Sequence, residues 1–131
     1  MGEIFKMEIE KVAPYQNFVS AVFDFPLQGK MRKTFGKEKE SLEDIGKYLS
    51  FERFNYRDQD TLGVFVDNHD MSRFLSVHGN VENFKSAMIL SLTAPGIPFV
   101  YMGSELAYNG GDDPKNRESL WQDLSKREEP V

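Results

Sequence analysis

Cysteine is absent from the 131 residues, which removes disulfides, thiolate zinc sites and cysteine nucleophiles together and leaves the redox compartment unread. No apolar run approaches the roughly 18 residues of a membrane-spanning helix. The opening Met-Gly-Glu-Ile-Phe-Lys-Met-Glu-Ile-Glu-Lys carries acids where a signal peptide carries bases and then a greasy stretch. No membrane partner is expected. Repeats of fixed period and low-complexity tracts are missing too, so solenoids and linkers drop out. Basic residues are in deficit: 16 Lys and Arg stand against 21 Asp and Glu, a formal charge of −5. That balance argues against a nucleic acid partner, whose phosphates draw on Lys and Arg. The basic cluster Lys30, Arg32, Lys33, Lys37 and Lys39 is followed at once by acids from Glu38 to Asp44 and reads as a solvated helix face.

What is present is a globular chain, 40% hydrophobic, long enough for one domain at most and for a core of its own. Residues 18–25, Phe-Val-Ser-Ala-Val-Phe-Asp-Phe, form a short aromatic and β-branched run closed by Pro26, which predicts a buried strand. Leu27, Met31 and Phe35 then recur at spacings of four, predicting a helix that ends near Gly36. Ser41, with Asp44 three residues on, is a capping-box variant ahead of Leu42, Ile45 and Leu49, so a second helix follows. Residues 61–66 predict another buried strand, and Val81, Phe84, Met88 and Leu92 mark one face of a helix stopped by Pro95 and Gly96. Ile97 to Met102 predicts a third strand. Continuous apolar strands alternating with helices indicate an α/β fold with a parallel sheet. Beyond Gly103 the sequence is turn chemistry, with Leu120, Trp121 and Leu124 left to bury, and His78 falls in a loop without a role.

Polar residues gather just after the apolar runs: Asp67, Asn68, His69 and Asp70 after Val66, Glu105 after Met102, and Glu3 after Gly2. Parallel α/β folds collect chemistry at the carboxyl ends of strands, so Glu3, Asp70 and Glu105 are expected at one crevice. Paired carboxylates there suit glycoside hydrolysis. They suit a magnesium or calcium site equally, and acids at strand ends also serve as helix caps. No His-x-x-x-His or EF-hand spacing occurs, and Asp112 with Asp113 alone makes no metal site.

The motif itself separates these readings. Phe65-Val66-Asp67-Asn68-His69-Asp70-Met71-Ser72-Arg73-Phe74 closely resembles the segment after the seventh barrel strand of the α-amylase family of glycoside hydrolases. Gly2-Glu3-Ile4, Pro14-Tyr15-Gln16-Asn17 and Phe23-Asp24-Phe25-Pro26 resemble the fifth-strand acid segment running into the sixth. Gly96-Ile97-Pro98-Phe99-Val100-Tyr101-Met102-Gly103-Ser104-Glu105, followed by Asp113-Pro114-Lys115-Asn116-Arg117-Glu118, resembles the eighth strand and its loop. The resemblance covers nearly the whole chain and is weakest from Lys30 to Gln59.

It implies a partial (β/α)8 TIM barrel: strands five (a stub) to eight, without the final helix, so that residues 1–131 form the C-terminal half of a catalytic barrel domain. A whole barrel takes about 250 residues. The implied function is part of a retaining glycoside hydrolase acting on α-glucosidic bonds of starch-like or maltodextrin substrates. Glu3 matches the general acid/base, and Asp70 the acid that grips sugar hydroxyls and stabilises the cation-like ring. His69 matches the neighbouring sugar-binding histidine, while Asn68 and Tyr15 are further substrate-binding candidates. Arg73 is expected to hold the loop by salt bridges, with Asn116 and Arg117 as possible helpers. The aromatics Phe25, Tyr101, Tyr108 and Trp121 read as packing.

No copy of the family's nucleophilic aspartate segment occurs in these residues, so the isolated chain is expected to be inactive. The family's calcium ligands would lie in the other half, leaving no cofactor here. Open edges at 18–25 and 97–102 call for a complementary N-terminal half-barrel or self-association. The expected ligand is an α-glucan or maltooligosaccharide. The alternative is a non-catalytic glucan-binding or scaffold fragment, and a third reading is a transglycosylase, isomaltase or sucrose-acting relative.

Overall fold

In the computed structural model, which describes residues 1–37 and 40–121, three short parallel strands lie side by side in the order β1 (Val22–Phe23), β2 (Leu62–Phe65), β3 (Ile97–Phe99). Val22 pairs with Leu62 and Phe23 with Gly63, while Gly63, Val64 and Phe65 pair with Ile97, Pro98 and Phe99. Gly2 adds a parallel bridge to Val22 on the free side of β1. Its N–H donates to Ala21 O at 2.7 Å and its carbonyl accepts from Phe23 N–H at 3.0 Å. The bridge aligns Glu3 with the ends of the strands.

Parallel neighbours require long crossovers, and helices supply them. After α1 (Ile9–Val12) and a 3-10 turn (Ala13–Asn17), α2 (Phe25–Phe35) and α3 (Leu42–Asn55) join β1 to β2. Then α4 (Phe74–His78) and α5 (Val81–Thr93) join β2 to β3. Capping explains their starts. Asp24 accepts Leu27 N–H at 3.0 Å ahead of Pro26. Ser41 and Asp44 form the reciprocal box that the sequence predicts, and Asn80 accepts Asn83 N–H at 3.0 Å.

Alternation along each strand sorts the side chains. Val22, Leu62, Val64 and Val66 point to the helices and join Leu27, Met31, Phe74, Phe84 and Ala87 in the core. The opposite face carries aromatics: Phe23 lies 5.9 Å from Phe65 and 4.9 Å from Phe99, and Phe25 lies 5.1 Å from Phe65, all edge to face. Gly63 is needed there, because a Cβ would stand 2.7 Å from Phe23 Cδ1.

Several expectations are corrected. The strand predicted over 18–25 shrinks to Val22–Phe23, because Asp24 caps α2 and Phe25 and Pro26 belong to that helix. The side of β1 expected to be open is bridged by Gly2, whereas β3 remains an edge with Ile97 and Phe99 partly exposed. On α5, Val81 and Leu92 are exposed, and the buried row is Phe84, Ala87 and Ser91. Arg32 is no solvated residue, since its side chain is only 12% exposed and paired with Asp67. His78 ends α4 instead of lying in a loop, its ring 4.6 Å from Phe74 and its Nδ1 accepting Lys37 N–H at 3.2 Å. Trp121 is 80% exposed, not packed. Glu38, Lys39 and Leu124 lie outside the described residues.

Candidate active site

A cleft of about 180 Å³ opens at the carboxyl ends of the strands, walled by Glu3, Phe23, Phe25, Phe65, Asp67, Asn68, His69, Phe99, Val100 and Tyr101. The position follows from the topology. Each strand delivers its next residues to the same end, so Glu3, Phe25, Asp67 and Tyr101 converge although up to 98 residues separate them in sequence. The walls pair an apolar aromatic surface with a small polar group, the usual composition of a ligand site.

Asp67 anchors the polar side. It is 3% exposed, and three donors reach its carboxylate: Phe74 N–H at 2.7 Å, Arg32 Nη2 at 3.1 Å and Ser104 Oγ at 3.2 Å. Burial pushes its carboxyl above the ordinary range, opposed by the Phe74 N–H, by the charges of Arg32 and Arg73, and by Ser104. The same burial lowers the Arg32 guanidinium, which Asp67 partly restores. Arg32 Nη2 also donates to Ser72 O at 2.5 Å, so α2 holds both ends of the 67–72 turn.

Within that turn, Asn68 Oδ1 accepts the N–H groups of Asp70 (3.2 Å) and Met71 (3.0 Å). His69 Nε2 lies 3.2 Å from Asp70 Oδ1, and Arg117 Nη2 approaches the same oxygen at 3.6 Å. Arg73 is fully buried beyond the turn. Its Nη2 donates to Met102 O at 2.8 Å, its Nε donates to Glu118 Oε2 at 3.1 Å, and its guanidinium stacks 4.3 Å from the Tyr101 ring centre. The loop-holding role expected for Arg73 thus has a geometry. Gly103, at φ 87°, starts the loop it holds, in the left-handed region that favours glycine.

The structure brings Glu3, Asn68 and His69 to one cleft, with Asp70 half-exposed beside it against His69. Tyr15, in the 3-10 turn, is 48% exposed and not part of the wall. Glu105 is exposed on a short 3-10 turn after β3 and does not line the cleft, so the expected three-acid crevice is not formed. The aromatic wall, Arg32 and the anchoring role of Asp67 were not legible beforehand. Strand alternation in Phe23, Phe65 and Phe99 was the signal available for the wall. Among the described residues no three His, Cys, Asp or Glu side chains converge on a metal-sized site.

Comparison with known proteins gives the family of the fold. The family model described as the alpha amylase catalytic domain matches residues 1–129. The chain belongs to the α-amylase family. A β/α-amylase of Paenibacillus polymyxa is 39% identical over 128 residues, covering 92% of this chain and 10% of that protein. An α-amylase of Malbranchea cinnamomea superposes with a TM-score of 0.85 at 31% identity, covering 92% of this chain and 26% of that one. The α-amylase of Geobacillus thermoleovorans solved with acarbose superposes at 0.81 with 34% identity, covering 88% and 27%. This α-amylase family chain therefore spans a small part of the length of the relatives it matches. Its α/β arrangement is that of their barrels.

Proposed function

We propose that these residues supply part of the active site of a retaining glycoside hydrolase acting on α-glucosidic bonds in starch-like or maltodextrin substrates. The observation that supports it is the convergence of Glu3, Asn68 and His69 on one cleft at the strand ends, with Asp70 against His69. Glu3 is the general acid/base, protonating the leaving glycosidic oxygen and later taking a proton from the incoming water. Asp70 and His69 grip hydroxyls of the sugar whose ring becomes cation-like, and Asp70's negative charge favours that state. The Phe23, Phe65 and Phe99 wall suits the apolar face of a sugar ring.

On this reading Gly2 ends barrel strand five, and β1, β2 and β3 are strands six, seven and eight. A retaining reaction needs a nucleophile about 5 to 5.5 Å from the acid. The sequence carries no copy of the family's nucleophilic aspartate segment, so on this reading the nucleophile and any calcium ligands are supplied from outside these residues. The open edge of β3, with Ile97, Val100 and Met102 exposed, and Ile89 and Leu92 exposed on α5, fits a complementary half-barrel or a second copy. The chain by itself binds acarbose or maltooligosaccharide weakly and turns nothing over. Assay on a chromogenic maltooligosaccharide, beside affinity electrophoresis in a glycogen gel, tests this. Gel retardation without hydrolysis is expected, an outcome that the alternative of a non-catalytic glucan-binding fragment shares. Turnover by the chain alone, abolished in Glu3→Gln, would show that no outside nucleophile is needed; neither retardation nor turnover would remove the glucan reading.

A further inference from the structure

We propose that Asn116 is a positioning residue for His69 and Asp70, holding the turn that presents them to the cleft; the sugar-binding part of this rests on the function proposed above. Asn116 is fully buried and is not part of the cleft wall. Its Nδ2 donates to His69 O at 2.9 Å and to Met71 O at 2.8 Å, the two carbonyls on either side of Asp70. From the other side, Asn68 Oδ1 accepts the Asp70 and Met71 N–H groups. The turn's donors are thus tied by one asparagine and its acceptors by another.

The side chain is held for its donors. Two backbone carbonyls can be met only by the NH2 end of a carboxamide, which fixes its orientation. Asn116 Oδ1 is left buried with no hydrogen-bond partner, a cost that the two donated bonds must outweigh. The neighbouring cation does not do the same work. Arg117 is half-exposed, reaches Asp70 only at 3.6 Å and lies closer to Asp113, at 2.5 Å, so the contact with Asp70 is screened by water. Asn116 in turn sits on a fixed loop. Lys115 N–H donates to Asp112 O at 2.7 Å, Arg117 N–H to Pro114 O at 3.1 Å, and Glu118 is bound to buried Arg73. The consequence is that strand-eight loop residues set the geometry of the strand-seven acid without touching the ligand.

Amide hydrogen exchange and acarbose titration of the chain, compared with Asn116→Asp, Asn116→Ala and Arg117→Ala, test the proposal. Asn116→Asp keeps the shape but offers no donor and sets a carboxylate against two carbonyls. Exchange at Asp70 and Met71 is expected to rise roughly 10- to 100-fold in both Asn116 variants while Val64 and Phe65 keep their protection, and acarbose affinity falls by a similar factor. Arg117→Ala leaves that exchange within about threefold. Unchanged exchange at Asp70 and Met71 in Asn116→Asp, or an equal rise at Val64 and Phe65, overturns the proposal. Failure of the unmodified chain to bind acarbose overturns the glucan reading instead, and the exchange pattern still decides whether Asn116 holds the turn.

Discussion

Two buried acidic centres flank the sheet, and they are built differently. On the cleft side Asp67 meets Arg32, Ser104 and a backbone N–H, with Arg73 nearby. On the helix side Asp24 and Glu52, 0% and 2% exposed, lie beside each other with the Tyr48 and Tyr56 hydroxyls around them, and among the described residues no cation shifts either. Burial raises all three carboxyls. For Asp67 neighbouring charge opposes the rise; for Glu52 burial and then the Asp24 charge add, pushing it up to about 10. One centre sets cations and hydrogen-bond donors around a carboxyl beside the cleft, and the other favours a bound proton between α2 and α3. Similar burial therefore shifts the carboxyls the same way but is opposed in one centre and reinforced in the other, according to whether a cation is within reach.

The largest test of this contrast is Arg32→Ala, which strands Asp67 without its nearest cation. Unfolding by denaturant should show a loss of about 3–5 kcal/mol, and Asp67 should titrate still higher. A loss below about 1 kcal/mol would mean that the other donors suffice.

Next comes Glu52→Gln. Because the folded carboxyl is raised above its unfolded value, its stabilising share is complete below the unfolded value near 4.5 and is lost as pH rises toward about 10. The neutral amide removes that loss. The variant should gain on the unmodified chain progressively as pH rises across this window, read from melts at successive pH values. Parallel pH profiles for the two proteins would refute the bound proton.

Smaller effects calibrate these. Ser41→Ala removes the α3 cap and should cost about 1 kcal/mol at any pH above the carboxylate range. Lys47→Ala breaks an exposed pair, 2.8 Å from Glu43, and should change stability by less than about 0.5 kcal/mol, vanishing in high salt.

The sequence was most legible where the physics is local. Capping by Ser41 and Asp44 depends on residues three apart, and the α2 face of Leu27 and Met31 follows from helical period, so both were readable without the fold. Arg32 was misread because its neighbours in sequence are other cations, whereas its partner Asp67 is 35 residues away. Val81 and Leu92 carry the α5 period but lie on the side that this chain leaves uncovered. Of the candidate site, Glu3, Asn68 and His69 fall on one cleft as their places after apolar strands imply, while Glu105 follows a strand and still turns away on its 3-10 turn.

The amino-acid order alone determined the alternation of strands and helices, the caps, and the family motif around Asp67 to Phe74, because each is written in residues near one another. Tertiary structure alone decided which carbonyls of the Asp70 turn Asn116 grips, that Arg32 pairs with Asp67, and that Glu52 lies against Asp24. Those pairings join residues 28 to 47 positions apart, and only the stacking of helices on the parallel sheet sets which charges meet and which remain buried without a partner.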